Sequence, residues 1–312
     1  MEKILVIGAT GFIGRHVVHA LLAKGYAVRC LTRDPARAQE LAAAGCEIVQ
    51  GDIADGASIR RALEGVRAVY VSVHTLFPQQ AGAAGQGFME VEMSGLRNIV
   101  NACQACGARR LVYITVMGIS ADAPSAWLRG RLQAEQFLLH SGLDVTILRP
   151  GQVIGVGGTG FGLTVNQAKG PVAVDLGSGQ QKMCNIAIDD LVYYLVGVLD
   201  EPRACGQCYD VGCDDVLTND QMIDMTADVL GRSHPAKIHI PLSLVEALTP
   251  IIERAGKFPP GALKAFLESF RTDFVGDPMP IRAILPQPLL SYRQALERAL
   301  AGFNNTPDDK AE

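Results

Sequence analysis

Gly8-Ala9-Thr10-Gly11-Phe12-Ile13-Gly14 follows directly on the apolar run Lys3-Ile4-Leu5-Val6-Ile7. It leads into a stretch with a helical apolar stripe made of Ile13, Val17, Val18, Leu21 and Leu22. The loop has the form G-x-x-G-x-x-G. Between a strand and a helix, such glycines let the backbone turn tightly and let a pyrophosphate approach the main chain. The helix then offers the phosphates its unpaired N–H groups and the positive end of its dipole. The stretch predicts a dinucleotide site built from Gly8, Thr10, Gly11, Phe12, Ile13 and Gly14. The alternative is a βα turn without a ligand, but three glycines at this spacing answer no evident packing need.

Outward from the loop, short strands and helices alternate. Strands are predicted at Lys3–Ile7, Ala27–Thr32, Glu47–Gln50, Ala68–Val73, Arg110–Thr115 and Val145–Leu148. Their Val, Ile and Leu content suits strands buried on both faces. Helices fill the gaps and stop at Gly25, Gly45, Gly65, Gly107 and Gly142, where a C-terminal cap belongs. Strands joined by right-handed helical crossovers make an α/β fold, a doubly wound parallel sheet of the Rossmann type. Its ligand lies across the carboxyl ends of the strands at the switch point.

After Pro150 the pattern changes. Gly151–Gly162 reads as a glycine-rich loop over the strand ends, and Val172–Val174 and Cys184–Ile188 as short strands. Asp189-Asp190 opens an apolar helix through Leu199, and Gln207–Val211 adds a strand to the main sheet. Beyond Leu217 come helices broken by prolines. The expected division is a nucleotide-binding domain of residues 1–152 and 184–213, a smaller and mostly helical substrate or lid region of 153–183 and 214–303, and a loose tail of 304–312.

Composition narrows the function classes. The chain has 312 residues, 48% hydrophobic and 19% charged, as a globular protein does. A net charge of −4 argues against a nucleic-acid surface. Apolar runs such as Leu191–Leu199 are too short to span a membrane. A strand opening at Lys3 leaves no room for a signal peptide, so the cytoplasm is the expected compartment. The eight cysteines include Cys103-x-x-Cys106 and Cys205-x-x-Cys208, far apart in sequence. Cys103 falls on an apolar helix face with Leu96, Ile99 and Val100. The reading is reduced thiols and no metal. The expected partner is a small-molecule substrate or another protein, and the expected state a monomer or homodimer.

The ordered set of segments resembles the short-chain dehydrogenase/reductase superfamily, and within it the atypical, NmrA-like and complex-I-accessory-subunit-like branch. The residues that carry the resemblance are Gly8 to Gly14, Thr32-Arg33-Asp34, Gly51-Asp52-Ile53, Leu148-Arg149-Pro150-Gly151 and Ile188-Asp189-Asp190. It implies a Rossmann domain interleaved with a substrate domain drawn from the chain beyond Pro150.

Cofactor choice follows from the end of the second strand. NAD binders place an acid there for the ribose 2′-OH. Here Thr32 holds that position and Arg33 follows, and a guanidinium suits a phosphate. NADP(H) is therefore expected over NAD(H), with Arg15 as a second cation. The alternative is an exposed Arg33 paired with Asp34. Asp52 and Ile53 match the pair that contacts adenine in the superfamily, although Asp52 also suits a turn or helix cap. Ser72 and Val73 are expected beside the central riboses, and His74 is read as a loop residue.

Enzymes of the superfamily use a Ser or Thr and a Tyr-x-x-x-Lys pair on one helix face to move the proton that accompanies hydride transfer. In this chain Thr115 keeps the hydroxyl, but Trp127 stands at the tyrosine position and Arg131 at the lysine position. Indole has no hydroxyl to cycle a proton, and arginine stays charged. Thr115 and Arg131 remain the catalytic candidates, with Arg131 also a donor to ribose. Tyr113 reads as core. Two functions follow. One is an NAD(P)H-dependent oxidoreductase acting on a small apolar or quinone-like acceptor. The other is a non-catalytic redox sensor or structural and assembly subunit. Phe161, Leu163, Met183, Phe258, Phe266 and Phe270 line an apolar pocket or belong to core, and the helices around 240–252 suit a partner contact.

Overall fold

The computed structural model describes residues 2–73, 87–256 and 258–303. His74 and the tail 304–312 lie outside the described residues. The first half runs β1 (Lys3–Ile7), α1 (Phe12–Ala23), β2 (Ala27–Thr32), α2 (Gln39–Ala43), β3 (Glu47–Gln50), α3 (Gly56–Leu63) and β4 (Ala68–Val71). It continues with α4 (Phe88–Cys106), β5 (Arg110–Ile114), α5 (Ala126–Leu139) and β6 (Asp144–Pro150). Then come β7 (Gln152–Ile154), α6 (Thr159–Lys169), β8 (Val172–Leu176), β9 (Lys182–Ala187), α7 (Ile188–Gly197), β10 (Gln207–Val211) and β11 (Val216–Thr218). The chain closes with α8 (Asn219–Val229), β12 (Ala236–Ile240), α9 (Leu242–Gly256), α10 (Ala262–Ser269), α11 (Met279–Ile284) and α12 (Tyr292–Phe303).

Among the described residues, seven parallel strands form the main sheet in the order β10-β6-β5-β4-β1-β2-β3. From β1 the chain first builds outward through β2 and β3, then returns to β4 on the other side. The crevice between β1 and β4 is therefore the switch point, the place where such sheets bind ligands. Both faces of β1 are covered, which explains its unbroken apolar sequence. Ile4 and Val6 face a core with Val17, Val18 and Leu21 of α1 and Leu191, Tyr194 and Leu195 of α7. Leu5 and Ile7 face the opposite core with Ile59 and Leu63 of α3 and Leu96 and Ile99 of α4. Gly107 ends α4 in the left-handed region at φ 76°, as a capping glycine should.

The smaller region adds two small sheets to its helices, in the orders β11-β9-β7 and β12-β8. One expectation changes here. The stretch 151–162 is not all loop, because it contains β7 and the start of α6. Strand β9 pairs with β7 and β11, while its Ile186 packs in the main core with Leu148 and Leu191. The cause is local. A Cβ on Gly151 would lie 2.1 Å from the Cys184 carbonyl oxygen. The glycine lets the chain leaving β6 press against β9.

All eight cysteines carry free thiols. Burial pushes Cys103 up to about 12 and Cys208 up to about 11, well away from a reactive thiolate. Among the described residues no helix is long and apolar enough to cross a membrane.

Candidate nucleotide site

The glycine loop is pressed between two backbones. The Gly11 amide donates to the Gly8 carbonyl at 3.0 Å and closes a tight turn. Gly8 has φ 88°, and a Cβ there would lie 2.1 Å from the Ser72 carbonyl oxygen at the end of β4. A Cβ on Gly14 would lie 2.1 Å from the Gly8 carbonyl oxygen. Helix α1 starts at Phe12 behind Gly11, which supplies no side-chain cap. Its first-turn N–H groups thus keep the capacity to bind an anion. Thr10 is half-buried in the turn, and Ile13 packs on the core beneath. Phe12 does something the motif did not announce. Cβ atoms on Gly155 and Gly158 would each lie 3.0 Å from its ring, so the ring rests on the glycine-rich segment before α6. Gly155 and Gly158 permit this close approach.

At the end of β2, Thr32 is buried. Its hydroxyl donates to the Asp34 carbonyl at 3.0 Å and accepts from the Asp34 amide at 3.3 Å. The Asp34 carboxylate accepts from the Ala36 amide at 3.0 Å and caps the next turn. Arg33 is exposed, and its carbonyl accepts from Gln50 Nε2 at 3.3 Å. Arg15 pairs with Glu40 at 3.4 Å. At the end of β3, Asp52 fulfils its turn role by accepting from the Ala54 amide at 2.9 Å. The Ile53 side chain packs on α4, where a Cβ on Gly95 would lie 2.6 Å from its Cδ1, and Asn98 Nδ2 donates to the Ile53 carbonyl at 2.8 Å.

Beyond β4 and β5 lies a second group of residues. The strand predicted to reach Val73 ends at Val71; the Ser72 amide still donates to the Ile7 carbonyl at 2.9 Å. Thr115, just past β5, is buried, and its Oγ1 has no hydrogen-bond partner among the described residues. Trp127 is buried against Phe88, Leu128, Ala262 and Ala265 at the start of α5, a turn capped by Ser125.

Arg131, expected to donate to ribose, is buried. Its side chain is 2% exposed and that of Glu92 is 0% exposed, and the two are paired at 3.1 Å. Arg131 Nη1 donates to the Tyr113 hydroxyl at 2.7 Å, and Nη2 to the Val73 carbonyl at 3.2 Å. The Tyr113 hydroxyl in turn donates to Glu92 Oε1 at 2.6 Å. The guanidinium carbon stands 5.8 Å from the Tyr113 ring centre and 5.9 Å from that of Trp127, close enough for cation–π attraction. Burial works against the Arg131 charge, but Glu92 and Tyr113 more than offset it and hold the guanidinium above its ordinary value. Burial pushes the Tyr113 hydroxyl well up. Glu92 is the participant that sequence reading missed. Its signal was present: it lies four residues after Phe88 and four before Leu96, on the apolar stripe of α4. An acid at such a position needs a buried cation beside it or must stay protonated.

The remaining motif residues join elements. Arg149 Nε donates to both oxygens of Glu135, at 3.0 and 3.1 Å. Asp190 accepts from the Leu290 amide at 2.9 Å, and Asp189 pairs with Arg298 of α12 at 2.9 Å. Phe161 is core, Leu163 is exposed, and Phe266 packs beside the Trp127 group. A group close enough to share a metal ion, Asp175, Asp220 and His239, contains no cysteine, and its members are hydrogen-bonded within the protein.

Comparison with known proteins agrees with this geometry. Residues 8–181 match a family described as NAD(P)H-binding. The photosystem II assembly factor Ycf39 of Cyanophora paradoxa is 31% identical over 147 residues, which are 47% of this chain and 44% of that protein. The chain thus matches less than half of that relative's length. Quinone oxidoreductase 2 of Escherichia coli is 26% identical over 226 residues, 70% of this chain and 71% of that one. A solved structure of an NADPH-dependent quinone oxidoreductase from Escherichia coli, complexed with NADPH, superposes with a TM-score of 0.72. It is 19% identical and covers 95% of this chain and 99% of its own, a likeness that shows the fold.

Proposed function

The chain belongs to this NAD(P)H-binding family, and we propose that it is an oxidoreductase that takes NADP(H) in preference to NAD(H) and serves a small apolar or quinone-like acceptor. The observation that carries the reading is the glycine cradle. The glycines at 8 and 14 let the loop pack tightly between the end of β4 and the start of α1, and that uncapped start supplies anion-binding N–H groups. The residues therefore fit a dinucleotide.

Gly8 to Gly14 hold the pyrophosphate through main-chain N–H groups, Asp52 and Ile53 border the adenine, and Ser72 and Val73 border the riboses. Arg33 meets a 2′-phosphate, because it stands exposed at the end of β2 and a guanidinium suits a phosphate. Bound nicotinamide supplies a hydride. Thr115 Oγ1, buried with nothing among the described residues to bond, orients a carbonyl or amide by donating to it. No side chain at the Trp127 and Arg131 positions cycles a proton, since indole keeps its N–H and the guanidinium is held charged. The acceptors that suit this chain take their proton from water, as quinones do. The expected compartment remains the cytoplasm.

Oxidation of NADPH followed with a panel of quinones is the direct test. Turnover well above background is the expected result. Tight NADPH binding without turnover would instead favour a non-catalytic redox sensor or assembly subunit, a reading supported by the substituted tyrosine–lysine pair and by the similarity to an assembly factor.

Arg33→Ala tests the cofactor preference separately. A charge-assisted bond to phosphate contributes about 1.5–3 kcal/mol, so NADPH affinity should fall by about tenfold or more. NADH affinity should stay unchanged. Parallel titrations of the two nucleotides check this, and equal losses would remove Arg33 from the 2′-phosphate site.

A further inference from the structure

We propose that Glu92, Arg131 and Tyr113 form a buried anchor that sets the position of the Ser72–Val73 segment, and with it the half of the dinucleotide cleft that lies over β4 and β5. Arg131 is then a positioning residue and not a ribose ligand. The inference rests on the dinucleotide reading above.

Three elements each contribute one group. Glu92 comes from α4, Tyr113 from β5 and Arg131 from α5, and all three are buried. A buried ion pair gains little over apolar residues of the same volume, so stability alone is a weak reason for it. What the pair provides is a charged donor at a defined place. Arg131 Nη2 donates to the Val73 carbonyl at 3.2 Å. That carbonyl stands past the end of β4, beyond the described strand ladder. Glu92 holds the charge of the donor, and the Tyr113 hydroxyl bridges them, accepting from Arg131 at 2.7 Å and donating to Glu92 at 2.6 Å.

The segment on the receiving end is gripped from the other side too. The Ser72 amide donates to the Ile7 carbonyl at 2.9 Å. The Ser72 carbonyl oxygen is the atom a Cβ on Gly8 would strike at 2.1 Å. Ser72–Val73 is thus clamped between the glycine loop and Arg131, and this clamp forms the wall of the crevice on the β4 side. Arg33 and Asp52 stand at the other half, past β2 and β3. A fault in the anchor should therefore disturb the nicotinamide half and spare the adenosine half.

The test uses the full chain carrying Glu92→Gln together with Arg131→Met, which removes both charges and keeps the volumes. Titration calorimetry with NADPH and with adenosine 2′,5′-bisphosphate is paired with thermal melting. The expected result is a folded protein whose NADPH dissociation constant rises by about tenfold or more, as for loss of a charge-assisted contact, while the bisphosphate constant changes by less than about twofold. Unchanged NADPH binding in the folded double variant overturns the anchor, and so does a parallel loss of both ligands, which marks general damage. Should the double variant fail to fold, Arg131→Lys is read in the same way, because an ammonium lacks the fork that reaches Tyr113 and Val73 together. A parent protein that binds neither ligand refutes the dinucleotide reading and the anchor with it. A parent that binds both, beside a variant that binds them equally well, refutes only the anchor.

Discussion

Gly8→Ala is expected to abolish detectable NADPH binding and to lower the melting temperature by about 10 °C, taking a destabilisation of about 3–4 kcal/mol at about 2–4 °C per kcal/mol for a chain of this size class. Two effects add. The residue has φ 88°, a region that disfavours any side chain. The new methyl group would also lie 2.1 Å from the Ser72 carbonyl oxygen, so β4 and the loop must separate. Gly25→Ala separates the two effects. Its φ is 84°, but a Cβ there meets nothing within 4 Å. It should lose about 1 kcal/mol from backbone strain and bind NADPH as the parent does. A third variant, Gly14→Ala, has no positive φ and gains in helix propensity, yet its Cβ would strike the Gly8 carbonyl oxygen at 2.1 Å. It should resemble Gly8→Ala in binding. Calorimetric melting and a fluorescence titration with NADPH measure all three. Normal binding by Gly8→Ala would mean that the loop does not hold the nucleotide.

The contrast among these glycines shows what a sequence discloses. The loop and its neighbouring strand are local, and their reading as strand, turn and helix agrees with the structure. The strands of the main sheet were legible for the same reason: each is a short apolar run bounded by turn residues. Strands β7 and β11 have three residues each, too few for any period to register, and β12 sits between Pro235 and Pro241. They exist because β9 and β8 give them partners. Glu92 is the sharper case. Its position on an apolar stripe was visible, but its meaning required Arg131, thirty-nine positions along the chain by their numbering, and Tyr113 between them. The fold alone brings the three together. Reading Arg131 by motif position predicted a ligand contact. Its surroundings show a guanidinium committed to Glu92, Tyr113 and Val73.

The same logic, applied to the Leu148-Arg149-Pro150 motif, gives an effect with a characteristic pH dependence. Arg149→Met should destabilise the protein by about 3–5 kcal/mol near neutral pH, because Glu135 is left buried without its counter-ion. Burial already raises the Glu135 carboxyl above its ordinary value in the parent, Arg149 and Arg131 pull it down, and Asp210 pushes it up. Asp210, 3.9 Å from Arg149, is likewise raised by burial. Without Arg149 both carboxyls rise further. In the unfolded chain they ionise at ordinary values near about 4. Between those values and the raised folded ones, the folded state holds more protons than the unfolded state, so stability falls as pH increases. The loss relative to the parent should be small near pH 4, grow through the weakly acidic range and level off above the folded values. Adding Glu135→Gln to Arg149→Met should remove most of that slope, since the amide does not ionise. Denaturant melts at several pH values read it directly, and a loss that stays constant with pH would show that packing of Arg149, not the charge of Glu135, is what the motif provides. Glu135 lies one helical turn beyond Arg131 on α5, so the ion pair also steadies the helix that carries Trp127 and Arg131 to the site. Arg149→Met should therefore weaken NADPH binding in step with its loss of stability, whereas the Glu92 and Arg131 double variant should weaken it without that loss.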